Sequence, residues 1–553
     1  MKEKIIIIVF IFIGIFLRLY QFGAVPAGLF SDEISIAVNS KTIAQSGVDE
    51  YGRKYPFAFE SLSDYKMPGY IYLSAVAYKI LGPSVASVRI TALIASLISI
   101  FSFAYLAHLL FPKKKNIFLY TCLVVSLCLF HIHFSRIAYE TMLATMWLSI
   151  FLIGFWKVVH EKIRLHWVVI TICCAIFSMW SYYAPRFIIP LFSFGYLFYL
   201  MLMAEKGKRL SYRPWLIVLA ATVIAYLPTF FGSKIDNRPL SYLMSDTGGG
   251  IIASVLLKAR SVLASFTWIF NLEFLFDKGD QFAFRHGTKN NGVFMSIFLV
   301  PYILGLLFIV KNFALKNKSI VFICMFAIVA GLPSSLTSPV PYAPRLLPMV
   351  LPLTLLISLG IVGCRTFLEK TRRFMQVGII VGVVFLLIYQ ILVFSHLYFV
   401  HFAKDSQPEF SQASVDLGKY IAIQHASAPE NNIYYLNGKS CHNWGHDDLY
   451  LWYYTELPNK ELIAWNNLFR DERYKESSPF DAYDHIIAPS GHIGSIFINL
   501  PLEEVISAPK GSLIVRCGIN ESSIEKNNEK IVKAFYMYPK ESRELFYIVT
   551  VKL

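Results

Sequence analysis

Apolar residues in this chain gather into runs of about 17–25, the length that reads as a membrane helix. Eleven such runs stand out: 4–20, 85–111, 117–134, 139–157, 167–184, 186–203, 214–231, 293–310, 319–335, 346–363 and 375–398. The first follows Lys2 and Lys4, which also suits a signal peptide. The run is long and no A-x-A cleavage site follows, so an uncleaved anchor is expected. The pattern predicts a polytopic α-helical membrane protein with about 11 transmembrane helices.

The loops between the runs give the chain a direction. With the N-terminus inside, the inner segments are 1–4, 112–116, 157–166, 204–213, 311–318 and 364–374. They carry 19 Lys and Arg against four acids, an excess of 15. Positive inner loops set orientation. The expected topology has a cytoplasmic N-terminus and an outer C-terminus. Three large pieces then face outward: loop 21–84, loop 232–292 and the tail. A membrane domain over 1–400 and an extracytoplasmic α/β domain over 401–553 follow.

Composition agrees. Of 553 residues, 56% are hydrophobic and 16% charged, and mean hydropathy is +0.53. The formal charge of +15 would ordinarily raise nucleic acid as a partner. The inner loops account for all of it, leaving 32 bases and 32 acids elsewhere. No nucleic-acid partner is expected.

Six cysteines lie in or beside the runs. Cys441 and Cys517 lie in the tail, where an exported compartment permits the disulfide predicted between them. Strands are expected at 432–436, 486–488, 513–515, 531–535 and 546–549, and helices at 410–425 and 459–474. The Gly248-Gly249-Gly250 run opens an apolar segment, 251–270, expected to form a surface helix or lid.

The first outer loop holds the densest chemistry. It reads Phe30-Ser31-Asp32-Glu33 just past the first run, then Ser63-Asp64-Tyr65-Lys66-Met67-Pro68-Gly69-Tyr70. Paired acids at a membrane face are costly unless used or hydrated. The plain reading is a cap: Ser31 or Asp32 caps a helix starting at Glu33. Segment 68–82 is too short to span and is expected to lie along the outer face.

The order of these features resembles the first loop of the GT-C glycosyltransferases. More narrowly, it resembles family 39, the protein mannosyltransferases and aminoarabinose lipid A transferases. The residues that carry the resemblance are Asp32-Glu33, Tyr51-Gly52 with Tyr55-Pro56, Lys66-x-Pro68 with Tyr70-Ile71-Tyr72, Leu81-Gly82 and Val88-Arg89. Later turns are similar too: His133-Phe134-Ser135-Arg136 with Tyr139-Glu140, Tyr182-Tyr183-Ala184-Pro185-Arg186, Arg285-His286-Gly287 with Asn291-Gly292, and Pro344-Arg345-Leu346-Leu347-Pro348. The resemblance covers about residues 5–365.

It implies a GT-C fold and a polyprenyl-phosphate sugar as donor. It also implies a lipid, glycan or protein acceptor, with membrane lipids as surroundings. Polyprenyl phosphate leaves readily, so no general acid is demanded; what the chain must supply is a base for the acceptor and cations for the phosphate. Asp32 matches the catalytic acid. Glu33 supports Asp32 or sits in a salt bridge. Glu140 matches a second acid that orients acceptor or metal, although pairing with Arg136 at i,i+4 is an equal alternative. Lys66 matches the phosphate-contacting lysine, with Arg186, Arg285, Arg345 and Tyr70 in the same substrate-binding set. Arg89 joins that set, though a brace for the loop is its readier role. Outward arginines run against the inner-positive trend; their alternative is anchoring to headgroups. Some family members hold a divalent metal ion, and Asp64 with His286 are the candidate ligands here. His131 and His133 lie two apart and read as interface histidines. His442 and His446 stand in a loop-like context.

No nucleotide-binding glycine loop is present. A transporter of lipid-linked sugars would place ionisable groups near the midplane, whereas these gather in the outer loops. A polysaccharide polymerase or ligase remains the other alternative. The bacterial flavour of the motifs favours a plasma-membrane enzyme and an undecaprenyl carrier.

Overall fold

The computed structural model describes residues 2–62, 64–204, 212–230, 250–336, 342–428, 433–436, 447–469, 491–493, 496–500, 508–517, 529–537 and 544–552. The chain forms two compact units. One comprises 1–22, 67–70 and 91–398; the other comprises 23–66, 71–90 and 399–553. Most of the first outer loop therefore folds with the tail.

Six described helices are long and apolar enough to cross a membrane: Val85–Leu110, Glu140–His160, Ala184–Leu202, Lys318–Ser335, Ala343–Leu368 and Arg373–Asp405. Four apolar helices are shorter: Ile117–Ser126, Leu165–Ser181, Arg213–Leu227 and Ser296–Asn312. A helix satisfies every backbone group inside its own segment, the condition for spanning lipid. The chain is read as an integral membrane protein. The first helix, Lys2–Leu19, carries Lys2, Glu3, Lys4 and Arg18.

The expected run 117–134 is not one helix. It breaks between Ile117–Ser126 and Leu129–Phe134. The carbonyls of Val125 and Ser126 at the break accept from the buried Arg18 guanidinium, at 3.0 and 2.7 Å. A charged donor from another helix thus replaces the bonds that the ended turn no longer supplies.

Close approach inside the helical unit depends on small residues. A Cβ on Gly360 would lie 1.7 Å from the Pro301 carbonyl oxygen, and one on Gly305 would lie 2.1 Å from that of Leu356. The helices Leu299–Asn312 and Val350–Leu368 therefore meet backbone to backbone. The helices Ala184–Leu202 and Lys318–Ser335 instead interleave the rings of Phe192, Tyr196, Phe322 and Phe326.

The second unit contains two sheets. Strands β1 (Phe59–Ser61) and β2 (Asp64–Lys66) form a small antiparallel pair, with Phe59 opposite Lys66. The larger sheet is built from β3 (Ile433–Leu436), β4 (Gly491–Ile493), β5 (Ile496–Leu500), β6 (Leu513–Cys517), β7 (Glu529–Met537) and β8 (Glu544–Lys552). Its order is β4-β5-β3-β6-β8-β7, and β3 runs parallel to both β5 and β6. Four of the expected strand segments fall in β3, β6, β7 and β8. The fifth, 486–488, lies outside the described residues. Helices Gln412–Ser427 and Asn459–Phe469 occupy the expected places, while Asp447–Tyr454, β4 and β5 were not foreseen. Cys441, His442, His446, Gly248 and Gly249 lie outside the described residues, so neither the disulfide nor the glycine-run hinge is placed. The helix Gly250–Trp268 covers most of the expected surface segment.

Lys41, in the helix Ser31–Ser46, is buried and donates to the carbonyls of Trp452 and Thr455. Those carbonyls stand at the C-terminal end of Asp447–Tyr454, where a cation is favoured. Burial nevertheless pushes the Lys41 amine down to about 8, with Glu456 opposing.

Two predictions follow from this packing. Gly360→Val wedges the helix pair and should cost about 1–3 kcal/mol, seen as a lower thermal midpoint in detergent. Gly378→Val should not, because a Cβ there meets nothing within 4 Å. The second concerns Lys41. Between pH 8 and the unfolded value of 10.5 the unfolded chain holds more protons than the folded one, so stability rises with pH in that window. The rise should be smaller in Lys41→Met; equal slopes in both proteins would contradict it.

Candidate active site

In the second unit the site is built around the start of Ser31–Ser46. The helix begins at Ser31 with Phe30 in the N-cap place, extended at φ −78° and ψ 172°. The expected cap by Ser31 or Asp32 is therefore corrected by one to two residues. Leu29 and Phe30 are buried and fix the entry of the chain. Glu33 reaches back to accept from the Phe30 N–H at 3.3 Å, the reciprocal half of a capping box.

Glu33 is also held by Arg89. The Nε donates to Oε1 and one terminal nitrogen to Oε2, both at 2.7 Å, a bidentate fork. The same guanidinium donates to the carbonyls of Pro26 and Gly28, each at 2.6 Å. Both side chains are fully buried. Of the two roles weighed for Glu33, this geometry is the salt bridge, and Arg89 is placed as a brace rather than as a substrate contact.

Asp32 points elsewhere. Its Oδ1 lies 2.6 Å from Lys66 Nζ at the end of β2. The carboxylate is 31% exposed while the Lys66 side chain is 5% exposed. The two expected leading residues, 34 positions apart, thus form one ion pair. Asp64 stands in β2, and its side chain is outside the described residues.

In the helical unit a second polar cluster gathers at helix ends. Glu140 opens Glu140–His160 and is nearly buried. It lies close enough to act electrostatically on Tyr182, as does Arg345. The Arg345 guanidinium sits 5.5 Å from the Tyr342 ring, and the Tyr342 hydroxyl meets that of Tyr139 at 3.2 Å. His286 packs edge-on to Tyr342 and bonds Asp280 Oδ2 through Nδ1 at 3.0 Å. His133 links the Tyr398 hydroxyl to the Arg285 carbonyl, each at 3.0 Å. Arg136 spends its guanidinium on the carbonyls of Leu17, Arg18 and Gln21. His131 and His133, expected as interface histidines, are both buried in the helical unit. His131 accepts from Arg18 at 3.0 Å.

Arg186 is nearly buried. Its Nε donates to the Met179 carbonyl, its guanidinium lies over Tyr183 and Tyr226, and one terminal nitrogen has no hydrogen-bond partner among the described residues. Tyr70 is fully buried in the first turn of Pro68–Leu81. That helix leaves Leu73, Val76 and Ile80 exposed, an apolar stripe at helical spacing. Asp280, Tyr342 and Tyr398 were not foreseen; being a lone acid and two tyrosines at run ends, they carry no motif.

The expected metal pair is not tested, because the Asp64 side chain lies outside the described residues. Among the described residues no three His, Cys, Asp or Glu side chains gather; His286 bonds Asp280 through Nδ1, which leaves its Nε2 uncommitted among the described residues. No step below passes through a metal.

The Glu33–Arg89 brace is testable. Breaking a buried pair from one side leaves an uncompensated charge and costs about 3–5 kcal/mol. Arg89→Leu alone should unfold the protein in mild detergent. Arg89→Leu combined with Glu33→Leu should recover much of the thermal midpoint; no recovery would show that the carbonyl contacts, not the pair, carry the cost.

No protein-family model matches the sequence, and no curated protein matches it either. Solved structures do. Over 99% of this chain and 98% of the other, it is similar to the crystal structure of ArnT from Cupriavidus metallidurans bound to undecaprenyl phosphate, with a TM-score of 0.53 and 12% identity. The same protein in the apo state aligns with a TM-score of 0.50 and 11% identity over 99% and 97% of the two chains. A fainter likeness, at a TM-score of 0.45 and 12% identity, is to archaeal oligosaccharyltransferase AglB from Archaeoglobus fulgidus, over 80% of this chain and 63% of that one. The fold is similar to that of ArnT.

Proposed function

We propose that this chain is a membrane glycosyltransferase that moves a sugar from a polyprenyl-phosphate-linked donor to an acceptor on the outer face of the membrane. The observation that carries the reading is the Asp32–Lys66 pair: a partly exposed carboxylate against a buried ammonium at 2.6 Å. One group can take a proton while the other holds a phosphate. The ArnT fold, seen in a structure bound to undecaprenyl phosphate, supports a lipid-phosphate donor.

In the proposed reaction the acceptor oxygen or nitrogen attacks the anomeric carbon. The bond from that carbon to the phosphate oxygen breaks, and its electron pair leaves with the lipid phosphate. The acceptor's proton passes to the Asp32 carboxylate. Lys66 holds the departing phosphate as a point charge, and Arg186, Arg285 and Arg345 are further candidates for bidentate contact. A terminal nitrogen of the buried Arg186 that has no partner among the described residues favours that role for it. Glu140 is proposed to orient the acceptor, and Tyr70 to line the donor. The proposal includes eleven spans, a cytoplasmic N-terminus, an outer α/β domain at 401–553 and a bacterial plasma-membrane location.

The test is incubation of purified protein with a panel of polyprenyl-phosphate sugars, following release of free lipid phosphate. Asp32→Asn should lower release about 10²–10⁴-fold at unchanged membrane expression, and Lys66→Ala should raise KM for the donor. Full activity in both variants would end the reading at this site. Activity that survives only Asp32→Asn would favour the polymerase or ligase alternative, which needs no base there.

A further inference from the structure

The backbone that delivers Asp32 is held from the tail. The Tyr450 hydroxyl, in Asp447–Tyr454, donates to the Leu29 carbonyl at 2.6 Å, three residues before Asp32. Phe410 packs edge-on to Phe30 with ring centres 5.6 Å apart, and its ring lies 5.6 Å from the Arg89 guanidinium. Gly28, at φ +86°, lies so near the tail that a Cβ would stand 2.1 Å from the Phe410 carbonyl oxygen. The same tail helix holds the other half of the brace. The Tyr453 hydroxyl meets Ser87 Oγ at 2.7 Å and the Ser84 main chain at 3.0 Å, just ahead of Arg89.

A tail that served only as a separate module would not need these bonds. They converge on the two segments that set the position of Asp32. Tyr450, Phe410 and Leu29 are all buried, so the contact excludes water and its geometry is fixed by packing. We propose that Tyr450 is a positioning residue for the base: by fixing the Leu29 carbonyl it sets the start of Ser31–Ser46 and hence the carboxylate of Asp32. The inference rests on the reading of Asp32 given above. It assigns the tail a part in the transfer step, beyond its own fold.

Tyr450→Phe in the full-length protein removes one hydroxyl and keeps the ring. On the donor identified by the panel, kcat should fall about 10- to 100-fold, the size of effect expected when a reacting group is displaced by about an ångström. KM for the donor should change less than twofold, and the thermal midpoint should match that of Asn467→Ala. Asn467 also bonds loop to tail, at the Tyr51 carbonyl, but far along the chain from Asp32; its variant should keep wild-type kcat. Hydrogen exchange of peptide 29–34 should quicken in Tyr450→Phe and not in Asn467→Ala. Unchanged kcat or unchanged exchange in Tyr450→Phe overturns the proposal, as does an equal loss of kcat in both variants. If Asp32→Asn is inactive while Tyr450→Phe is fully active, only the positioning role falls. If the wild type releases no lipid phosphate from any donor, the base reading falls first.

Discussion

Glu33 and Arg89 are fully buried, and an ion pair taken out of water costs several kcal/mol per ion before attraction acts. Such a pair is held only where hydrogen bonds satisfy it. Here the guanidinium makes four: two to the carboxylate and two to the carbonyls of Pro26 and Gly28. The pair therefore does more than join two side chains. It freezes the extended segment ahead of Ser31–Ser46 and fixes the register at which that helix begins. Everything proposed for Asp32 depends on that register, because a shift of one residue would turn its side chain by about 100° around the helix.

The helical unit uses the same chemistry at its own ends. Arg18 caps the carbonyls of Val125 and Ser126 where the expected single span is interrupted, and Arg136 caps those of Leu17 and Arg18 where the first helix stops. A carbonyl without a partner in an apolar setting costs several kcal/mol. An arginine can serve two or three at once, because its donors form a rigid fork. The interrupted helix and the buried arginines are thus one feature: the break is tolerable because Arg18 is there. His131, bonded to the same guanidinium, completes the local set.

Much of this was legible in the chain, for identifiable reasons. Helix-length apolar runs announce themselves by length, so helices stand where they were expected. The break at Leu127–Cys128 was invisible, since no proline or glycine marks it and its cause, Arg18, lies 107 positions from Val125. The start of Ser31–Ser46 was misplaced because Ser and Asp are good caps, and the buried Leu29 and Phe30 outweighed them. The roles of Asp32 and Lys66 were suggested by family likeness, and their contact could not be read from spacing. Glu33 was left between two roles, and burial decided it. The grouping of loop 23–66 with the tail was illegible, for it rests on contacts such as Lys41 with Trp452 and Tyr450 with Leu29 across more than 400 positions.

Neighbouring acids at the head of one helix invite the question why there are two. Successive side chains diverge by about 100°, so they cannot share one environment. Glu33 turns inward, where two bonds from Arg89 and one from the Phe30 N–H commit both oxygens. Asp32 turns to the side that keeps 31% of its surface exposed. The anchoring acid thereby frees its neighbour from anchoring. Lys66 then completes the arrangement: a buried ammonium needs an anion beside it, and Asp32 supplies one. A phosphate is the other anion that Lys66 can hold. In the proposed reading, donor binding gives the ammonium its second partner, and the carboxylate is left to accept a proton from the acceptor. In that reading the order of events is set by a buried charge that must always be matched.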